Sequence, residues 1–347
     1  MGLATHLQLP DLVALQLQGW SDEALATAQI EGEILQLNSV RASAARRLGL
    51  ADGKKHKRDA RAEATLNLLQ GALQNSHRAL SQQTLCDWQA ALFPTGRSDT
   101  QKILTGAYRT HSEPMQIVTP RMGKPDLVHY QAPASEDVKR HMDFFIQWFN
   151  SSLGTQDGLV RAALAHLWFE TIHPFEDGNG RIGRALVEMA LAQDLKTEQR
   201  LWSLSQQIWH ERSAYYEQLQ SATSSANMDV TPWVQWFVAC IHKAADSSWE
   251  QMQSAMRKTR FWADLRELHL SLTPSQSKAI NKLYDAGPDG FSGGLSTEKY
   301  VNLCGVSRAT AYRELTALCE AGLLAQTGSG RGTRYQLHPS QRVGLAL

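Results

Sequence analysis

The stretch His173-Pro174-Phe175-Glu176-Asp177-Gly178-Asn179-Gly180-Arg181-Ile182-Gly183-Arg184 gathers the densest set of chemically useful side chains in this sequence. Gly178, Asn179 and Gly180 form a small-residue connection just ahead of a helix start. Backbone N–H groups can converge there on an anion. Arg181 and Arg184 are three residues apart, so they share a helix face beside that cradle. Two arginines next to a backbone nest suit a polyphosphate. Asp177 is a hard oxygen ligand where Mg²⁺ would bridge phosphates. His173 can serve as a general base near neutral pH. Base, metal carboxylate, nest and arginine pair together point to phosphoryl or nucleotidyl transfer. The structural alternatives are a helix-terminal histidine satisfied by a carbonyl, an Asp177 helix cap, and a surface pair between Arg184 and Glu188.

Two helices must position this stretch. Pro174 disfavours helical geometry at His173, so one helix should stop near Ile172 and the next should start near Arg181. Around them the sequence predicts further helices at 62–76, 81–92, 135–150, 158–171, 181–194, 205–223 and 231–268. An amphipathic segment at 21–37 carries Ser21 as a candidate N-cap, followed by Asp22 and Glu23. Lys54, Lys55, His56, Lys57, Arg58 and Arg61 read as an exposed loop. Two β-prone runs, Met115-Gln116-Ile117-Val118 and Leu127-Val128-His129-Tyr130, flank Pro120, Gly123 and Pro125, the pattern of a small hairpin. Tyr215, Tyr216, Trp233, Trp236 and Phe237 read as packing within the helical bundle.

From 273 onward the pattern changes. Helices at 275–286, 296–303 and 307–321 precede a Gly-rich hairpin around Gly328-Ser329-Gly330-Arg331-Gly332, which describes a winged helix-turn-helix. Arg308, Thr310 and Arg313 fall on its recognition helix, and Arg331 and Arg334 on its wing. Such positions suit groove and phosphate contacts with DNA. A protein–protein role fits the same elements, and Asp285, Asp289, Glu298, Glu314 and Glu320 keep the region only mildly basic. The chain therefore reads as mainly α: an N-terminal helical region over 1–95, a catalytic core over 96–245 with a short β-hairpin, a helical linker over 246–272 and a winged helix over 273–347.

The segment from His173 to Arg184 resembles the motif of the Fic (Fic/Doc) family, His-Pro-Phe-x-Asp/Glu-Gly-Asn-Gly-Arg-x-x-Arg, and matches every fixed position of it. Glu176 occupies the variable position. Gly106-x-Tyr108-Arg109 and the following hairpin resemble the family's target-docking flap, which would include Met115, Gln116, Ile117 and Val118. Thr27-Ala28-Gln29-Ile30-Glu31-Gly32 is similar to the family's inhibitory pattern, in which Glu31 would pair with Arg184. The resemblance implies an autoinhibited protein adenylyltransferase that moves AMP from ATP to a Ser, Thr or Tyr hydroxyl of a target protein, the chain itself included. His173 would take the proton and Asp177 would hold Mg²⁺. Gly178, Asn179 and Gly180 would hold the α-phosphate, and Arg181 and Arg184 the β- and γ-phosphates. Relatives also remove AMP or use other nucleotide donors, and a nucleotide-sensing DNA-binding regulator is a further alternative. A homodimer is a further expectation.

The composition is compatible with this reading. Of 347 residues, 42% are hydrophobic and 20% charged, which excludes a wholly disordered chain. Lys and Arg number 35 against 34 Asp and Glu, so any polyanionic partner must be met by a local patch. Cys86, Cys240, Cys304 and Cys319 are scattered, which fits neither a zinc site nor a disulfide framework and favours a cytoplasmic setting. No stretch of about 18 apolar residues suggests a membrane span. Met1-Gly2 begins a myristoylation pattern that His6 breaks.

Overall fold

The structure is a computed structural model describing residues 9–50, 58–98, 100–113, 115–119, 127–199, 201–224, 229–286, 291 and 293–338. Contacts divide the chain into two units, Gln16–Ala245 and Asp246–Leu347 with Met1–Leu15.

The larger unit is helical around a central pair. α1 (Leu9–Ile30), which belongs to this unit from Gln16 on, α2 (Leu37–Arg47), α3 (Ala60–Gln74) and α4 (Gln82–Leu92) come first. Two hairpins follow, β1 (Arg97–Ser98) with β2 (Gln101–Lys102), and β3 (Gln116–Thr119) with β4 (Leu127–Gln131). Then come α5 (Ser135–Ser151), α6 (Gly158–Ile172), α7 (Asn179–Leu195), α8 (Leu204–His210), α9 (Arg212–Ser224) and α10 (Thr231–Glu267), which continues into the second unit. α6 packs along α7, with α3 and α5 flanking the pair. Every residue of α7 from Arg181 to Ala192 is buried. Its small residues, Gly183, Ala185, Ala190 and Ala192, allow neighbours to approach closely. Phe145 and Phe149 of α5, Phe169 and Ile172 of α6, Ile182 and Leu186 of α7, and Trp233 and Phe237 of α10 form one apolar core. Because α7 is enclosed, its two arginines must find partners inside the protein.

Several sequence expectations are corrected here. The segment predicted at 21–37 is two elements, since α1 passes through Ser21 and ends at Ile30. Ser21 is not a cap; its hydroxyl donates to the Leu17 carbonyl at 2.6 Å, one turn back. Gly32, at φ 79°, sits in the turn after α1, a conformation a side chain resists. The helix predicted at 205–223 is broken at Glu211 into α8 and α9. The β1–β2 hairpin had no sequence signal, because two-residue strands carry no alternation to read. Lys54, Lys55, His56 and Lys57 lie outside the described residues, as do Pro120, Gly123 and Pro125. Arg61 belongs to α3, whose N-cap Asp59 accepts from its N–H at 2.9 Å.

The smaller unit holds α11 (Pro274–Asp285), α12 (Thr297–Cys304), α13 (Arg308–Glu320), β5 (Leu324–Thr327) and β6 (Arg334–Leu337). Thr273 and Gln276 form a capping box on α11, and Ser296 and Ser307 cap α12 and α13. Gly305, at φ 70°, makes the tight turn between α12 and α13. β5 and β6 pair antiparallel, and Leu295 bridges to Tyr335 on β6. This is the element order expected of a winged helix-turn-helix. Glu314, buried on the inner face of α13, accepts from Thr273 (2.9 Å), Ser275 (3.1 Å) and Tyr300 (2.8 Å), tying three helical segments together.

Candidate active site

The bend from α6 into α7 builds the site. His173 ends α6 in the left-handed conformation, φ 50° and ψ 60°, with its N–H on the Phe169 carbonyl. Arg109 holds it there: Nε donates to the His173 carbonyl at 2.8 Å, and the Arg109 N–H to the Pro174 carbonyl at 2.9 Å. The same guanidinium donates to the Pro133 carbonyl (2.6 Å) and Ser135 Oγ (3.0 Å), linking the bend to the chain just after β4. Asn179 closes the loop on itself, accepting from the Phe175 N–H at 2.9 Å and donating to the Phe175 carbonyl at 2.8 Å. Its side chain thus shapes the cradle, while the first-turn N–H groups of α7 have no intrahelical acceptors. Gly178, at φ 89°, lies against Phe93, where a Cβ would be 2.9 Å from the ring.

Asp177 and Glu176 diverge from this bend. Asp177 Oδ1 accepts from the Gly178 N–H at 2.5 Å, and Oδ2 from the Ser98 hydroxyl. Arg181 Nη2 stands 3.6 Å from Asp177 Oδ1. Glu176 accepts from the Leu104 N–H at 2.9 Å, so the variable motif position anchors the segment following β2. Among the described residues no group of three or more His, Cys, Asp and Glu side chains could cage a metal. A single carboxylate, with a side chain 35% exposed, suits Mg²⁺ that takes its remaining ligands from phosphate and water.

The arginines of α7 are met by the end of α1. Arg184, 2% exposed, donates through Nη2 to Glu31 Oε1 at 2.7 Å and through Nε to Thr27 Oγ1 at 2.7 Å. Arg181 donates through Nη1 to Glu33 Oε1 at 2.8 Å. A Cβ on Gly180 would run into the Glu31 carboxylate, so the absent side chain makes room for it. Burial alone would raise the Glu31 carboxyl, but Arg184, with help from Arg181, turns the net shift downward. Burial pulls His173 down to about 4 against the opposing Glu170 backbone and the Glu31 and Asp177 carboxylates, so the imidazole is neutral at pH 7.

Beneath these groups lies a polar pair that sequence reading missed. Glu170 is pushed up to about 8 by burial and by the nearby Glu31 charge, and its Oε2 stands 3.9 Å from His173 Nδ1. His166 is pulled down to about 3 by burial, stacks against Trp233 and Phe237, and lies 2.9 Å from the Tyr215 hydroxyl. Glu33, Ser98 and the anchoring role of Arg109 were also unforeseen. Glu33 is the residue just after the inhibitory pattern, and Ser98 meets Asp177 across 79 residues, so neither has a local signature.

The flap residues Gln116, Ile117 and Val118 lie on β3, with Met115 just before it. Gln116 pairs with Gln131 and Ile117 with Tyr130, and the register shifts before Val118. β3 pairs only with β4 among the described residues. In the second unit Arg308 and Arg313 are exposed on α13. Thr310 is engaged with Ser307, its N–H at 3.1 Å from Oγ and its hydroxyl at 2.9 Å. Tyr312, 64% exposed, joins the arginines on that face and was not anticipated. Arg334 donates to the Gly293 and Thr333 carbonyls at 2.8 Å each, and the Arg331 side chain lies outside the described residues.

The Fic/DOC family profile matches residues 79–191. The profile "Transcriptional regulator DIP2311-like, C-terminal domain" matches 292–338, and a domain of unknown function, DUF4172, matches 1–50. The chain is 27% identical over 138 residues to the protein adenylyltransferase Fic of Nematostella vectensis, covering 40% of this chain and 30% of that protein. It is 29% identical over 165 residues to the protein of the same name from Drosophila virilis, covering 46% and 32%. The match thus spans about a third of these curated relatives. Among solved structures, a Fic family protein from Desulfovibrio desulfuricans G20 has a TM-score of 0.53 at 22% identity, covering 96% of this chain and 90% of its own. A Fic domain containing signaling protein from Bacteroides thetaiotaomicron VPI-5482 has a TM-score of 0.53 at 17% identity, covering 77% and 94%. These two likenesses show a shared fold. With the complete motif carried on the α6–α7 bend, residues 79–191 are a Fic/DOC domain.

Proposed function

We propose that this chain is a protein adenylyltransferase held at rest by Glu31. The observation that carries the reading is the α6–α7 bend, which gathers His173, Asp177, the α7 N-terminus and both arginines within twelve residues. Arg181 and Arg184 bind the β- and γ-phosphates of ATP, and the N–H groups around Gly178, Asn179 and Gly180 bind the α-phosphate. Asp177 holds Mg²⁺, which supplies charge neutralisation at the phosphates when bound. A target segment adds to the free edge of β3 and presents its hydroxyl. Neutral His173 takes the hydroxyl proton as that oxygen bonds to the α-phosphorus; the bond to the β-phosphate oxygen breaks and pyrophosphate leaves. Glu31 on Arg184 competes with the γ-phosphate for the same guanidinium. We place the division between N-terminal region, core, linker and C-terminal domain at 95, 245 and 272, and assign the C-terminal domain to DNA. Support for that last assignment is the exposed Arg308, Tyr312 and Arg313 face and the likeness to a transcriptional regulator's C-terminal domain.

The test is incubation of wild type, Glu31→Gly and Glu31→Gly/His173→Ala with Mg²⁺ and α-labelled ATP, reading label on the chain and on a lysate. Glu31→Gly is expected to label protein at least tenfold faster than wild type, and the double variant by less than 1% of Glu31→Gly, as loss of a base predicts. Absence of label with Glu31→Gly, or its persistence without His173, sinks the reading.

A further inference from the structure

Two carboxylates, not one, leave the end of α1 for the arginine pair. The turn at Gly32 sends Glu31 and Glu33 to different guanidiniums: Glu31 Oε1 accepts from Arg184 Nη2 at 2.7 Å, and Glu33 Oε1 from Arg181 Nη1 at 2.8 Å. The second pair is enclosed, with side-chain exposures of 6% for Arg181 and 23% for Glu33. It is also incompletely satisfied. Glu33 Oε2 and Arg181 Nε are buried without a hydrogen-bond partner. Buried polar atoms in this condition ask for a reason beyond stability. Arg181 is stretched between Glu33 and Asp177, the latter 3.6 Å away. A carboxylate on one side and the expected cation ligand on the other leave Arg181 no freedom to meet a phosphate until Glu33 yields.

We infer that Glu33 is a specificity-determining residue of the nucleotide site, competing for the β-phosphate position through Arg181 while Glu31 competes for the γ-phosphate position through Arg184. The inference deepens the proposed function and rests on its phosphate assignment. Each carboxylate stands in for one phosphate, so the resting site discriminates by phosphate number. With both in place, only the backbone cradle at the start of α7 remains for an anion, which fits a nucleoside monophosphate. Neutralising Glu33 opens the site to a diphosphate. A triphosphate still meets Glu31.

Calorimetric titration with ADP and with ATP in Mg²⁺ tests this on wild type, Glu33→Gln, Glu31→Gln and the double variant. Glu33→Gln keeps the side-chain volume and removes the charge, and Glu33→Ala repeats the measurement should the amide rebind Arg181. Because both nucleotides place a β-phosphate on Arg181, removing this enclosed competing pair is expected to tighten ADP and ATP alike, by roughly tenfold, whereas Glu31→Gln is expected to tighten ATP and leave ADP within about twofold. The double variant is expected to bind ATP more tightly than either single variant. Unchanged ADP affinity in both Glu33 variants overturns the inference. So does a clearly greater tightening of ATP than of ADP, which would mean that Glu33 merely docks the segment and frees Glu31 when lost. Labelled AMP transfer by the double variant is read separately. Tight ATP binding without transfer defeats the proposed activity and leaves the role of Glu33 standing, whereas no nucleotide binding by the double variant overturns both.

Discussion

Glu170 and His166 face each other across Gly183 with opposite protonation demands. Burial keeps the first protonated and the second neutral at pH 7. Their neighbours define the balance: Glu31 from the turn after α1, His173 from the end of α6, Arg184 from α7 and Tyr215 from α9. A carboxyl raised in the folded state gives stability that is full below its unfolded value, about 4.5, and lost as pH rises through about 8. Glu170→Gln copies the protonated form and is insensitive to pH. Its melting temperature should therefore climb relative to wild type by several degrees between pH 4.5 and pH 8. A gap that stays constant, measured by calorimetry across that range, would show that Glu170 is ionised when folded. This pair was illegible in the sequence for a physical reason. A Glu and a His one turn apart on a mostly apolar helix look alike whether solvated or buried, and only tertiary enclosure fixes their charge. The motif from His173 to Arg184 was legible because its parts are consecutive, so one local bend suffices to assemble them.

At the scale of elements, α1 is the part whose docking matters most. Its inner side is fastened at two levels. Glu23, fully buried, accepts from Ser203 Oγ at 2.8 Å, from the Ser205 N–H at 3.1 Å and from the Ser205 hydroxyl, at the start of α8. Lower down, the Ile30 carbonyl accepts from the Tyr216 hydroxyl at 3.2 Å and from Arg212 at 3.4 Å. Thr27 lies between, holding Arg184. Glu23→Ala strands the Ser203 and Ser205 donors and is expected to cost about 2–3 kcal/mol. It should also raise the basal rate of AMP transfer several-fold, because Thr27 rides on that helix and Glu31 on the turn that ends it. A variant that melts lower without any gain in transfer would separate the fastening from the inhibition. The sequence misled here: Ser21 and two acidic residues mimic a helix start, yet the helix runs through them. Capping chemistry can be read from residue types, but whether a helix has already begun upstream cannot.

Across the whole molecule, the two units present arginines in opposite ways. Those of α7 are enclosed by their carboxylate partners, and those of α13 stand in water. The three helices and hairpin of the second unit were readable from their glycines and caps. Tyr312 was passed over, because an aromatic residue on a helix usually faces the core, and its outward side is set by Glu314 turning inward two residues on. Arg308→Ala/Arg313→Ala in the full chain should reduce retention of double-stranded DNA in an electrophoretic shift by at least tenfold while leaving labelled AMP transfer by the Glu31→Gly background unchanged. Equal retention by the variant would remove α13 from the DNA assignment. Enclosure has one more consequence, for the response to electrolyte. At about 0.15 M ionic strength exposed charges lose sight of each other beyond about 8 Å, whereas enclosed pairs are screened much less. Raising KCl tenfold should dissolve any DNA complex yet shift the ratio of Glu31→Gly to wild-type transfer rates by less than about twofold. A ratio that collapses with salt would mean that Glu31 and Glu33 meet their arginines in solvent. With the ratio unmoved, one chain carries a counterion-sensitive unit and a counterion-blind one, each addressable without touching the other.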